Sequence, residues 1–553
     1  MASPHAHYRT NPGCRLPTGL AKAVQALVLL ALVLLNANLA RAAGGDFEAG
    51  LALLSEKSFD KKALAIEHLA ESGHDQALTL LQTMSAGDLY YRKSDKRIVI
   101  RQDADKGYAI TDVVTGQALG TVDRRDIKKV SINNQLRAQL TQAIAELQLG
   151  AGDPDIRKTA LEAMLSELDT DSLPLLEKRR GIEQDAEVSA VLDVAIAVAQ
   201  LESGERTDRL QALKALDGSL YPPVRNRLVA VLESDPDAGV RKAAAKALAT
   251  IESRAKLFGN LETLFFGISL GSVLILAAIG LAITFGVMGV INMAHGELIM
   301  IGAYTTYVIQ LLMPNAIEYS LLVAIPAAFV VSGLVGIAIE RGVIRFLYGR
   351  PLETLLATFG LSLILQQAVR SIFSPLNRSV ETPAWMSGTW EVNAIFSLTL
   401  NRLYIIGFCL IVFFLLHLIL KRTRLGLEVR AVSQNRQMAR AMGVRTQWVD
   451  ALTFGLGSGI AGVAGVALSQ LTNVGPNLGQ AYIIDSFMVV VFGGVGNLWG
   501  TLVAGLSLGV ANKVMEPWAG AVLAKILVLV FIILFIQKRP RGLFPQKGRA
   551  AEG

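Results

Sequence analysis

The sequence predicts an all-α polytopic membrane protein of about eight or nine spans, preceded by a mainly α-helical domain with a small β insert. Three observations predict it. The chain has 553 residues, more than one ordinary domain uses. Only 18% of them are charged, below the roughly 25% usual in soluble domains. The charge is also unevenly spread: residues 1–257 hold 34 acidic and 33 basic side chains, against 12 and 20 in residues 258–553. The second half is too poor in charge for an ordinary soluble domain. The same composition excludes disorder and collagen-like fibres.

The net charge of +7 comes almost entirely from the apolar half, where Lys and Arg gather in short loops, as they do at cytoplasmic span ends. Nucleic acid is therefore not an expected partner. Cys14 stands near the N-terminus and Cys409 inside an apolar run, so neither a disulfide framework nor a metal site is expected, and no cofactor.

At the N-terminus, Arg9, Arg15 and Lys22 precede an apolar core, Ala26 to Leu35, and then Ala40-Arg41-Ala42. A basic head, an apolar core and a small-x-small site predict a secretory signal over 1–42. Ten apolar residues make only about 15 Å of helix, half the hydrocarbon core, which disfavours an ordinary span. An uncleaved anchor is the alternative. Either version delivers the next domain outside the inner membrane.

Residues 43–257 mix charged and apolar residues at helical spacing. Asp153-Pro-Asp-Ile-Arg157, Asp185-Ala-Glu-Val188 and Asp235-Pro-Asp-Ala-Gly-Val-Arg241 look alike, two of them followed by Ala and Leu on one face. An acidic cap ahead of such a face suits stacked helical pairs and resembles HEAT-type repeats, at irregular spacing. Residues 90–131 differ: Arg97-Ile-Val-Ile-Arg101 and Tyr108-Ala-Ile-Thr-Asp-Val-Val114 are β-prone, with Thr115-Gly116 as a turn. His68 and His74 stand alone, so partner binding rather than catalysis is expected of this domain.

From Leu264 onward, apolar runs long enough to cross ~30 Å of hydrocarbon follow one another. They lie near 264–285, 286–311, 320–340, 353–373, 402–420, 449–471, 483–514 and 519–537. The seventh is Gly-broken and has room for two segments. Gly267/Gly271 and Gly505/Gly509 have the small-xxx-small spacing of close helix contacts. Arg341, Arg345 and Arg350 mark one loop as cytoplasmic, the stretch from Lys421 to Arg445 another, and the basic residues from Lys538 to Arg549 the C-terminus, with 546–553 as a cytoplasmic tail. Three spans before Arg341 place residue 257 outside. The C-terminus then lies inside only if 483–514 crosses twice.

The stretch from Gly286 to Tyr304 places Asn292, His295 and Glu297 inside an apolar frame. A charge at the centre of a span costs ~2.5–3.5 kcal/mol on insertion scales, so such residues face a pathway or another helix. In a continuous helix Asn292 and His295 would share one face. Thr358, Ser362 and Gln366 offer further polar groups to such a path. Gln434 to Gly443 predicts a short amphipathic cytoplasmic helix, with Met438, Ala441 and Met442 at helical spacing and Gly443 ending it. Gly493-Gly-Val-Gly496 is followed by no Lys-Ser/Thr pair, so Gly493, Gly494, Gly496 and Asn497 are expected to break or pack a membrane helix rather than cradle phosphate.

These blocks carry a resemblance. Gly289-Val-Ile-Asn-Met-Ala-His-Gly-Glu297 with Gly302-Ala-Tyr304 closely resembles the first block of the branched-chain amino-acid type ABC permeases. Ala357-Thr-Phe-Gly-Leu-Ser362, Leu425-Gly-Leu-Glu-Val-Arg430 through Gly443, Val490 to Asn497 and Arg539-Pro-Arg-Gly-Leu-Phe544 follow in family order. The resemblance covers about 258–545. With its N-terminal extension, the chain is most similar to the urea transporter permease subunit of that family. The resemblance implies a subunit without its own ATPase site, in a bacterial inner membrane, working with a second permease subunit, two ATP-binding subunits and a periplasmic substrate-binding protein. It makes the loop of Arg430, Gln434, Asn435, Met438, Ala441, Met442 and Gly443 the element that docks on the ATPase. The expected cargo is urea or a similar small amide, with branched-chain amino acids as the alternative. A membrane-anchored scaffold that binds partners through its helical extension is a reading of another class.

Overall fold

The computed structural model describes residues 47–74, 76–103 and 107–544. The expected signal peptide and the 546–553 tail lie outside the described residues. The chain forms two compact units that divide between Glu252 and Ser253.

In the first unit, α1 (47–54), α2 (Phe59–Glu71) and α3 (Ala77–Ala86) lead into a five-stranded antiparallel sheet. Its strands are β1 (Leu89–Arg92), β2 (Ile98–Asp103), β3 (Tyr108–Asp112), β4 (Ala118–Val122) and β5 (Ile127–Lys129), ordered β4-β3-β2-β1-β5. The β3–β4 turn has a local cause: Asp112 Oδ1 accepts from the Val114 and Thr115 amides at 2.9 and 3.0 Å, and Gly116 takes φ +66°. Leu69, Leu80, Met84, Leu89 and Leu136 close the core between the helices and the sheet.

Helices α4 (Asn134–Gln148), α5 (Pro154–Met164), α6 (Leu173–Ile182), α7 (Ala186–Gln200), α8 (Arg206–Ala215) and α9 (Pro222–Ser234) follow, with α5, α6 and α8 each packed against α7. Asp153 and Asp185 are N-caps, accepting amide hydrogen bonds from the first turns that follow them. In the third stretch the cap is Asp237, not Asp235: its Oδ1 takes the Gly239 and Val240 amides. An unforeseen repetition underlies these caps. Arg157 donates to the carbonyls of Ala151 and Gly152 and pairs with Glu183 at 2.7 Å. Arg209 donates to Ser203 and Gly204 and pairs with Asp235 at 2.9 Å. Every member of the second set lies 52 residues after its counterpart, and Arg241 donates likewise to the Asp235 and Pro236 carbonyls 32 residues further on, so the spacing is irregular.

The Arg157 guanidinium holds the Glu183 carboxyl down at about 2, from an ordinary 4.5. A carboxylate with a depressed folded pKa contributes stability that is present above its unfolded pKa and lost as pH falls through the folded value. Hydrogen exchange across α7 in the full-length protein is therefore expected to accelerate as pH drops from about 4.5 towards 2, relative to intrinsic rates. Glu183→Gln should flatten that dependence. An identical pH profile in the variant would remove the ion pair from the account.

The expected boundary at 257 lies within α10 (Ala238–Met288). Residues 241–257 contain no Gly or Pro and are rich in Ala, Lys and Arg, so nothing stops the helix there.

The second unit continues with α11 (His295–Leu312), α12 (Ile317–Gly342), α13 (Pro351–Phe373), α14 (Leu400–Arg422), α15 (Arg424–Gln434), α16 (Arg436–Ala441), α17 (Thr446–Ser469), α18 (Leu478–Gly493) and α19 (Leu498–Lys538). A two-stranded ribbon, β6 (Thr389–Glu391) with β7 (Ser397–Thr399), precedes α14. Helices α11, α12 and α17 pack as one group through glycines: a Cβ on Gly302 would stand 2.5 Å from the Gly462 Cα, and one on Gly465 would stand 2.7 Å from the Ala303 amide. Gly271 and Gly509 meet in the same way between α10 and α19.

Six helices among the described residues are long and apolar enough to cross a membrane. This count and the expected eight or nine spans differ at three helices. α11 has 18 residues but opens on the polar His295 and Glu297, and α18 has 16 residues; neither is among the six. α19 counts once but is a hairpin. As a straight helix its 41 residues would span about 60 Å. Instead, Gly520 leaves the helical region (φ 76°, ψ 160°) just after Pro517, and the far end returns to the start. Asn497 Nδ2 donates to the Phe544 carbonyl at 3.2 Å, and the Leu543 and Phe544 amides donate to Phe492 and Gly493 at 2.9 and 3.1 Å. The run 483–514 is thus two helices parted at 494–497.

Candidate translocation seam

α10 ends where Gly289 takes φ +67°, and residues 289–294 are not helical. Asn292 Oδ1 accepts the Ala294 amide at 3.0 Å, and α11 begins at His295. The reading of Asn292 and His295 as one helical face is therefore corrected: the backbone between them is not a helix. The depth of the break follows from His295, whose Nε2 lies 2.9 Å from the Ala277 carbonyl. Ala277 is about 16 Å along α10 from Met288, so α11 starts roughly half a hydrocarbon thickness from that end. Irregular backbone at such depth is tolerated where it is buried in protein or lines a cavity.

Around the break, α13 supplies a polar stripe. Thr354, Thr358, Ser362 and Gln366 recur every fourth residue and are all buried, while Leu356 and Ile364 on the other side are exposed. Thr358 Oγ1 accepts the Met293 amide at 3.1 Å. Glu297, 1% exposed in the first turn of α11, receives Ser362 Oγ and Gln366 Nε2 on one oxygen, each at 2.9 Å. Among the described residues its other oxygen has no hydrogen-bond partner, nor has Asn292 Nδ2. Asn292 also lines a cavity of about 180 Å³ with Leu281, Phe285, Leu355 and Phe487.

Of the expected residues, Glu297, Ser362 and Gln366 meet directly, and Thr358 and Asn292 meet the break. His295 does not join them. It sits against α10, where a Cβ on Gly280 would stand 2.9 Å from its Cε1. Sequence reasoning missed Thr354 and Arg370, whose Nη2 donates to Asn477 Oδ1 at 2.7 Å; the spacing of four that they share with Thr358 would have found both. No cluster of His, Cys, Asp or Glu that could hold a metal occurs among the described residues.

The glycine break is built for close approach. Gly494 and Gly496 have φ +103° and +79°, and a Cβ on Gly493 would stand 2.5 Å from the Gly500 carbonyl. Asn497 caps α19 through the Trp499 and Gly500 amides. The basic loop differs from the single helix expected over 434–443. α15, which includes Arg430, ends at Gln434, and Asn435 starts α16 by accepting the Met438 amide at 2.9 Å. Asn435 interrupts because its side chain competes for the backbone and caps instead. Gly443 follows α16 at φ +89°. Met438, Ala441 and Met442 are exposed, whereas Arg436 pairs with Asp450 on α17 and lies 3.8 Å above the Tyr348 ring.

Residues 263–536 match the family model described as the permease component of the branched-chain amino acid transport system. The chain is 32% identical over 293 residues to the high-affinity branched-chain amino acid transport system permease protein LivH of Salmonella typhimurium, which covers 51% of this chain and 94% of that protein. It is 30% identical over 298 residues to the corresponding permease protein BraD of Pseudomonas aeruginosa, covering 52% and 96%. The ribose import permease protein RbsC of Escherichia coli is 26% identical over 277 residues, covering 48% and 81%. No solved structure gives a significant match. With nearly the whole of LivH and BraD matched by its second half, the chain belongs to the family of branched-chain amino acid transport system permease components.

Proposed function

We propose that this chain is the permease subunit of a bacterial inner-membrane ABC importer that carries urea or a similar small amide along the seam between the α10–α11 break and α13. The observation that carries this is the set of buried hydrogen-bonding groups at mid-membrane depth: Glu297, Ser362, Gln366, Thr358 and Asn292, with one oxygen and one amide nitrogen left unpartnered. A neutral solute with N–H donors and a carbonyl can satisfy both. Among the described residues, no Lys or Arg hydrogen-bonds with these side chains to hold a carboxylate; Arg370 is engaged by Asn477. Branched-chain amino acids remain the second reading, favoured by the names of LivH and BraD.

The exposed Met438 and Met442 support α16 as the contact for the ATPase, held to α17 by Arg436 and Asp450. A second permease subunit, two ATP-binding subunits and a periplasmic binding protein complete the machine. The extension is periplasmic and the basic loops cytoplasmic. The α19 hairpin supports this orientation, because it adds the crossing that returns Phe544 to the side of Asn497.

Uptake of labelled urea and labelled leucine by a deletion strain and its complemented control tests the cargo. Urea uptake should return with the gene and leucine uptake should not. Asn292→Ala should lower initial uptake more than immunoblotted abundance, since one interhelical hydrogen bond in a membrane averages only about 0.6 kcal/mol. Normal uptake per molecule would make Asn292 a purely structural cap.

A further inference from the structure

We propose that the groove on the outer face of α14 binds an anionic phospholipid, with the phosphate on Lys421 and Arg422 and an acyl chain along Phe414, Leu415 and Leu418. The groove holds about 540 Å³ and is lined by those five residues and His417. Its chemistry is graded along the helix: apolar over the turns from Phe414 to Leu418, then basic. The change occurs within about 12 Å of helix, which matches the passage from hydrocarbon to headgroup.

Two further observations place the basic end at that boundary. Trp499 is exposed beside the groove, with its ring 5.8 Å from His417 and 5.2 Å from Phe413, as expected of an interfacial tryptophan. Lys421 and Arg422 are exposed, and among the described residues neither has an acidic partner. Two unpaired cations at the end of an apolar groove complement a lipid phosphate, and long basic stems carry their charge to the headgroup level. This inference rests on the membrane character of the second unit and not on any cargo.

Native mass spectrometry of the full-length protein in detergent, titrated with phosphatidylglycerol or with phosphatidylcholine of the same chains, tests it. Phosphatidylglycerol should bind in preference. Each basic side chain near a membrane surface strengthens anionic-lipid binding roughly fivefold, so Lys421→Gln with Arg422→Gln should weaken it about 30-fold. Arg345→Gln with Arg350→Gln, at basic residues outside the groove, should leave it nearly intact. Equal loss in both pairs, equal binding of phosphatidylcholine, or full competition by soluble glycerol phosphate would overturn the proposal. In cells, a photoreactive benzophenone side chain at Leu418 should cross-link to phospholipid. A cross-link to another protein subunit would mean that a protein covers the groove, and would also overturn it.

Discussion

Gly302→Val is expected to abolish folded protein. A Cβ at Gly302 would stand 2.5 Å from both the Cα and the carbonyl carbon of Gly462, closer than real Cβ atoms come. Both sides of that contact are helix backbone, so no side chain can rotate away. Overpacking a well-packed interior costs about 1–3 kcal/mol where side chains can shift, and more where they cannot. Because α11 and α17 also meet at Gly465, the two helices must separate along their length. Size-exclusion chromatography of the detergent-extracted variant should find it aggregated or missing. Gly360→Ala and Gly407→Ala, with open space at the Cβ, should stay within about 1 kcal/mol of the parent. A folded Gly302→Val protein with an unchanged thermal midpoint would mean that α11 and α17 do not touch there.

Gly443→Asp is expected to uncouple ATP hydrolysis from transport while leaving the protein in the membrane. The position is open, with nothing within 4 Å of a Cβ, so the effect does not come from a clash inside this chain. Two causes compete. The φ of +89° strains any side chain, although Asp and Asn bear the left-handed region better than most. The carboxylate would also stand just past the C-terminal end of α16, where the helix dipole disfavours it, and would be desolvated in a docked contact. Gly443→Asn separates them, since it has the same shape without the charge. An unpaired buried charge costs about 3–5 kcal/mol, more than a hundredfold in docking. Substrate-stimulated ATPase in the reconstituted complex should therefore collapse for Asp and largely survive for Asn. Normal stimulation with Asp would remove α16 from the coupling contact.

Much of the seam could be read from letters because its cause is local. Thr358, Ser362 and Gln366 announce a stripe by their spacing, and an α-helix needs nothing else to align them. Glu297 announces itself by the cost of its charge. The role of His295 could not be read, because its partner is a main-chain carbonyl of α10, and carbonyls have no letter. Nor could the break be placed: Gly289 differs in no visible way from Gly286, and only the surrounding packing selects which one turns. The same holds for Gly520, one glycine among 50 in the chain, which folds α19 back on itself. In the extension the acidic stretches suggested irregular spacings, and the arginine contacts to main-chain carbonyls recur at irregular spacings as well. A recurrence written in hydrogen bonds to main-chain carbonyls is invisible to a count of apolar letters.

The contact between residues 539–544 and the glycine break acts as a clasp on the second leg of α19. The Phe492 and Gly493 carbonyls receive their partners from amides made about fifty residues later. Until then, two backbone acceptors at the end of α18 stay open, and the second leg of α19 has no terminus fastened to the rest. The contact locks the fold rather than extending it, because it adds no helix and ties the far end of α19 to the end of α18. A stop codon after Lys538 would leave all the apolar spans in place and remove only the lock.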